Sequence, residues 1–291
     1  YGTVGERNAY RDMMSAQQLK DTDPQVFVDL LKGLADYKHQ VAYYGPMDEK
    51  QVSALISKAH RSARQLAEVP ANQPYLELPA TTNEVLIAPY DAKNIYMRMY
   101  HNEGRSWRPE EAAVQEVFNE YFGGGMNGIV FQEMREARGL AYNAYAYYYQ
   151  PSWKDRKEYA MAHIITQNDK MGDCITHFKE IIDEMPVSET AFQIAKDAVS
   201  KRLASERTTK MSIFYAWLSV QRLGLDTSLN EVIYKNLPKV TLGNIVGFER
   251  QVMAKKQYRF IILGDEKQLD MPVLEKIGPV KRLTTEEVFG Y

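Results

Sequence analysis

The sequence predicts an α+β fold, with helices packed on one face of a mostly antiparallel sheet. Three observations point there. Strand-type runs come in contiguous sets followed by a long series of helical patterns, rather than in strict alternation with them. Two strand–turn–helix units end alike, Y-Y-G-P near position 45 and I-I-L-G-D near position 264, as two homologous domains would if one were truncated. Hydrophobic residues make up 45% of the 291 and charged residues 25%, the balance of a globular chain with a full core.

The composition also excludes function classes. A net charge of −2 gives no electrostatic reason to expect nucleic acid or an acidic membrane surface as partner. No run of about 18 apolar residues occurs, so no membrane-spanning helix is expected. The single cysteine excludes an internal disulfide and a cysteine-rich zinc site. Cys174 shares a helical face with Phe178, Ile181 and Met185 and reads as a buried core thiol. The chain opens on Tyr1 rather than methionine, so its natural N-terminus and any targeting segment are expected upstream.

Residues 1–66 read as the C-terminal tail of a preceding homologous domain. Residues 1–24 are polar and broken by Gly2, Gly5 and Pro24. Residues 25–37 predict an amphipathic helix with Phe27, Leu30, Leu31 and Leu34 on one side. The run H-Q-V-A-Y-Y predicts a strand stopped by Gly45-Pro46, and 48–66 a further helix. Residues 67–82, with Pro70, Pro74 and Pro79, read as an extended Pro-rich linker.

Residues 83–291 read as a second, C-terminal domain. Strand patterns over 84–90 and 94–100 flank turn residues 91–93. Pro109-Glu110-Glu111 opens a helix to about Phe122, since proline fits the first turn and acids suit the positive end of the dipole. A strand is expected over 158–167 and a helix over 169–184. Ser188 caps a helix to about 207, another covers 211–223, and Thr241 opens one to about 254. An apolar strand over 258–263 and an edge strand over 280–283 complete the pattern.

The chain is organised around 122–149, F-G-G-G-M-N-G-I-V-F-Q-E-M-R-E-A-R-G-L-A-Y-N-A-Y-A-Y-Y-Y. Met126, Val130, Met134 and Ala137 recur at helical spacing, which predicts a helix over 126–138. Arg135 and Arg138 lie beside that face, one turn apart. Gly139 stands where helix C-termini favour glycine. From Ala141 the period becomes two, with Tyr142, Ala144, Ala146 and Tyr148 facing one way and Tyr145, Tyr147 and Tyr149 the other. The turn between can bring a guanidinium at a helix end against a phenol at a strand start. The three tyrosines can grip an extended peptide or simply pack; packing in the core is the simpler reading.

The run M-R-E-A-R-G-L-A-Y behind a G-G-G loop resembles the C-terminal part of pitrilysin/insulinase-type zinc metallopeptidases and the related mitochondrial processing peptidases. The likeness extends over roughly 83–291 as an order of strands and helices. In that family an arginine and a tyrosine seven residues apart, in a run ending L-x-Y, come from the non-zinc half and reach across a closed chamber to the substrate. Arg135 and Tyr142 match that pair. In related enzymes a longer glycine loop contacts substrate, which makes Gly123, Gly124 and Gly125 a candidate contact loop. Gly123-x-Gly125-x-x-Gly128 also matches a dinucleotide fingerprint in form, but it follows a helix rather than a strand. The better reading is a flexible loop between helices.

The resemblance implies zinc, held by H-x-x-E-H on a helix. None of the five histidines begins that motif; His177 in H-F-K-E-I has the glutamate, Glu180, but isoleucine where the second histidine belongs. No two histidines have ligand spacing. Any zinc is therefore expected outside this chain, in an N-terminal half or a partner subunit. The expectation is the substrate-binding half of a two-half endopeptidase, inert alone, with a peptide as substrate. The alternative is a non-catalytic subunit or scaffold of the same family.

Overall fold

The structure is a computed structural model and describes residues 1–60 and 65–291. Among these residues six strands form one sheet: β1 (Glu84–Pro89), β2 (Asn94–His101), β3 (Asn143–Tyr149), β4 (Tyr159–Gln167), β5 (Arg259–Gly264) and β6 (Val280–Arg282). The order is β3-β4-β2-β5-β1-β6. Pairings β3–β4, β4–β2 and β2–β5 are antiparallel, while β5–β1 and β1–β6 are parallel. The sheet is thus mixed, antiparallel on one side and parallel on the other. β1 and β2 follow one another in sequence but do not pair, because β5 lies between them. The short link 90–93 has to carry the chain across two strand spacings, about 9.5 Å.

The helices are α1 (Pro24–Gly33), α2 (Glu49–Ala59), α3 (Ala112–Phe122), α4 (Ile129–Phe131), α5 (Met171–Asp183), α6 (Glu189–Ser205), α7 (Met211–Leu223), α8 (Leu229–Asn236), α9 (Leu242–Val252) and α10 (Met271–Ile277), besides other short helical segments. Ser188 and Thr241 cap α6 and α9 with their side chains. α8 and α10 escape the periodicity reading because both are short.

Alternation along the strands decides which face is buried. Ile95, Met97 and Met99 of β2, Ala144, Ala146 and Tyr148 of β3, and Ala160, Ala162 and Ile164 of β4 pack against the helices with Phe118, Phe122, Phe178 and Phe248. Tyr96 and Arg98 of β2, Tyr145 and Tyr147 of β3 and His163 of β4 turn to the other face and stay partly exposed. Cys174 is fully buried beside Phe178, and burial pushes its thiol up to about 11, so it is a packing residue.

The core also holds charge. The partly buried Arg105 bridges Glu111 and the fully buried Glu158. Glu249 on α9 is buried with Oε1 unpartnered, and loss of hydration raises its carboxyl to about 7. Between the usual carboxylate value near 4.5 and about 7, the unfolded chain is ionised at this position while the folded chain keeps the proton. The folded state then binds more protons, so this contribution falls as pH rises through that window and is lost above it. Glu249→Gln should therefore raise the melting temperature at pH 8 and change it little at pH 4.5; equal shifts at both pH values would contradict the assignment.

The first 60 residues carry no strand of the sheet. Among the described residues the apolar side of α1 finds no cover, and Leu30 and Leu31 are 65% and 68% exposed. The strand expected in H-Q-V-A-Y-Y does not form: Tyr37 bridges Ala67 and the Lys38 N–H donates to the Ala67 carbonyl, but 39–44 pair with no described strand, with Val41, Tyr43 and Tyr44 exposed. A strand needs a neighbour for its backbone groups, and no described strand lies beside this one. The helix expected over 48–66 is described as Glu49–Ala59; 61–64 lie outside the described residues.

Candidate functional site

The helix expected over 126–138 starts only at Ile129, behind Gly128 as N-cap. Met126 is 73% exposed in the preceding turn and Ala137 is also exposed, so of the four only Val130 and Met134 are buried, joined by Ile129. After α4 the chain widens into a π-helical turn, Gln132–Ala137. Gly139, at φ +58°, closes it by donating its N–H to the Arg135 carbonyl at 3.0 Å. Leu140 and Ala141 both donate to the Met134 carbonyl, at 2.9 and 3.2 Å. The Tyr142 N–H then reaches the Ile165 carbonyl at 2.8 Å, one residue before β3 begins.

This turn separates the two arginines. Arg138 meets Glu133, five residues back as the π spacing places it, at 2.5 Å. Both line a cavity that opens between α5 and α10. Arg135 points elsewhere. Its guanidinium carbon lies 5.0 Å from the Phe131 ring centre and 5.8 Å from the Tyr142 ring centre. The nearest carboxylate, Glu136, is 3.7 Å away and exposed, so that contact contributes little. The Arg135 side chain is 46% exposed and Tyr142 is 74% exposed. Neither the guanidinium nor the hydroxyl hydrogen-bonds to another described residue. Two strong donor groups are thus brought near one another, with the guanidinium at the outer range of a cation–π contact with the phenol ring, and left exposed to solvent.

The glycines before this turn are packed rather than flexible. Gly123 and Gly124 are buried. A Cβ on Gly123 would lie 1.5 Å from the Ala146 carbonyl oxygen of β3, and one on Gly124 would lie 2.9 Å from the Asn119 carbonyl oxygen. Gly125, at φ +65°, is the exposed one of the three. Tyr145, Tyr147 and Tyr149 are not in the core, contrary to the simpler reading. They stand part-exposed on the face away from the helices, because their alternates Ala144, Ala146 and Tyr148 take the helix-packed side.

Sequence spacing also misses one histidine pair. His39 Nε2 lies 2.6 Å from His60 Nε2, across 21 residues and with both rings exposed. Among the described residues no group of three or more His, Cys, Asp or Glu side chains is placed to hold a metal ion. These side chains therefore do not fit a zinc site.

A family model described as the peptidase M16 inactive domain matches residues 39–199, over half of the chain and across both boundaries expected near 66 and 82. A peptidase M16 inactive domain from Pseudomonas fluorescens has a similar fold, with a TM-score of 0.54 at 16% identity, covering 75% of this chain and 51% of that one. A protease from Helicobacter pylori gives 0.57 at 12% identity, over 86% of this chain and 61% of that one. A mutant of the ferredoxin protease FusC, solved in complex with Arabidopsis ferredoxin, gives 0.60 at 11% identity over 87% of this chain and 28% of that one. At such identities the likeness is one of fold. The chain spans about half the length of the first of these, and less than two thirds of each. No curated protein matches the sequence. With its strand and helix order, its M-R-E-A-R-G-L-A-Y turn and the family match together, the chain belongs to the peptidase M16 family as an inactive, C-terminal-type portion.

Proposed function

We propose that this chain is the substrate-binding, non-zinc half of a two-half zinc endopeptidase, and that Arg135 and Tyr142 hold the substrate carbonyl at the site of cleavage. The observation that carries the reading is the pair itself: two donors side by side, well exposed, with no hydrogen bond to a described residue and no evident part in the fold. A peptide carbonyl under attack gathers negative charge on oxygen. The Tyr142 phenol can donate to that oxygen, and the Arg135 fork can hold a neighbouring carbonyl of the same peptide. Both donors gain strength where water is excluded, which closure against a second half would supply. The attack itself belongs to the half that carries zinc. Residues 1–66, with their uncovered apolar side chains, fit the tail of the preceding domain, and the extended 67–82 fits a spacer. Gly125, at the exposed tip of the glycine loop, is the loop residue best placed to meet substrate.

The test is zinc analysis and peptidase assay on the chain alone and after adding the zinc-bearing half. The expected result is neither zinc nor activity alone, and both on mixing. Zinc and activity in the isolated chain would overturn the reading, and so would a mixture that stays inactive.

A further inference from the structure

β3 is the edge strand of the sheet, yet its edge is closed. The Tyr148 N–H donates to Asn119 Oδ1 at 2.9 Å, and the Tyr148 carbonyl accepts from Gln115 Nε2 at 2.9 Å and Asn119 Nδ2 at 3.0 Å. The backbone at Gly123 lies tight against the Ala146 carbonyl, with no room for a Cβ. A peptide cannot add there as a further strand. The opposite edge, β6, offers three residues.

The face of β3 is open instead. The Tyr145, Tyr147 and Tyr149 rings form a row with centres 5.7 and 6.1 Å apart, and Tyr149 stacks on Tyr159 at 5.0 Å. A groove follows the row. It is lined by Gly125, Phe131, Asn143 and the three tyrosines, and a separate hollow lined by Pro151 and Trp153 lies on the far side of Tyr149. Phe131 is the ring on which Arg135 rests, so the groove begins at the carbonyl-holding pair. Farther along the same face the chain already lays its own N-terminal and linker segments over the sheet. Gly2 sits against Ile261 and its carbonyl accepts from Arg259 at 2.8 Å, and Ala80 packs with Tyr100, Tyr159 and Met161. The tyrosine row lies beside these segments, on the part of that face that stays open together with Arg98 and Leu263, and Tyr149 at its end packs against the Ala80 cluster.

We propose that the tyrosine row is a set of side-chain subsites for an extended peptide with apolar side chains at every second residue, laid across the face of β3 rather than added to its edge. Side chains on one side of an extended peptide repeat every 6.4–6.8 Å, about the spacing of the rings, so successive alternate side chains drop into successive gaps. The tyrosines supply apolar faces for these side chains and hydroxyls at the wet rim. The inference rests on the substrate-binding role proposed above and names the kind of substrate that role takes.

Two fluorescein-labelled octapeptides of identical composition test it on the full 291-residue chain by anisotropy. One alternates leucine and serine; the other has its leucines in adjacent pairs. The alternating peptide should bind about tenfold more tightly, Tyr147→Ala or Tyr145→Ala should weaken it about tenfold, and Tyr147→Phe should keep the affinity within about twofold. Equal affinity for the two peptides, no binding of either, or indifference to both alanine variants would overturn it. Failure here is distinct from failure of the carbonyl-holding role. That role is read from the kcat of Tyr142→Phe, whereas the tyrosine row is read from binding alone.

Discussion

Tyr142→Phe, in the enzyme proposed to assemble with a zinc-bearing half, should lower kcat by about 10²-fold and leave KM within a factor of about two, as loss of one donor to a developing oxyanion does. The change removes one hydroxyl and nothing else. The ring stays beside Arg135, and Tyr142 is 74% exposed with its hydroxyl making no hydrogen bond to a described residue. The melting temperature of the chain should therefore be unchanged, which separates a catalytic loss from a folding loss. Arg135→Ala should act differently. A guanidinium on a neighbouring carbonyl serves ground state and transition state alike, so its loss should raise KM more than it lowers kcat. Steady-state kinetics on both variants, with wild-type values for Tyr142→Phe, would remove that residue from the account.

Gly123→Ala should destabilise the chain by about 3 kcal/mol or more, measured by urea unfolding. The new Cβ would stand 1.5 Å from the Ala146 carbonyl oxygen. That oxygen is backbone of a strand held in register by β4 on its other side, so no side chain can swing away to make room. α3 and β3 would have to part, breaking the Asn119 and Gln115 bonds to Tyr148 with them. Gly139→Ala is the comparison. A Cβ there meets nothing within 4 Å, and the cost is that of a left-handed φ alone, about 1 kcal/mol. Similar losses for the two variants would mean that Gly123 is not in contact with β3.

The elements that the sequence made legible are those with long, strict periodicity. β2, β4, α5, α6 and α7 stand within a few residues of where alternation or helical spacing puts them, and Ser188 and Thr241 cap as expected. What periodicity cannot carry is pairing. Nothing local to 84–100 says that β5, some 160 residues later, lies between β1 and β2. The strand expected in H-Q-V-A-Y-Y has the right residues but no described neighbour, so local pattern alone misled there. The candidate site divides in the same way. Arg135 and Tyr142 stood out through the resemblance, and their meeting follows from the chain direction changing at Gly139. The π-helical turn that sends Arg138 to Glu133 and leaves Arg135 exposed has no signature in a run that reads equally well as ordinary helix. The three tyrosines were visible as an alternating set, but only the burial of Ala144, Ala146 and Tyr148 on the helix side decides which way that set faces.

The double variant Arg135→Ala with Tyr142→Phe, measured beside both single variants in the assembled enzyme, tests most directly whether the pair acts on one bound peptide. If it does, the losses in kcat/KM are not additive and the coupling is about 1 kcal/mol or more, while coupling in the unfolding free energy of the chain alone stays under about 0.5 kcal/mol. Additive losses in kcat/KM, or coupling of equal size in folding, would contradict the account and make the pair a surface contact.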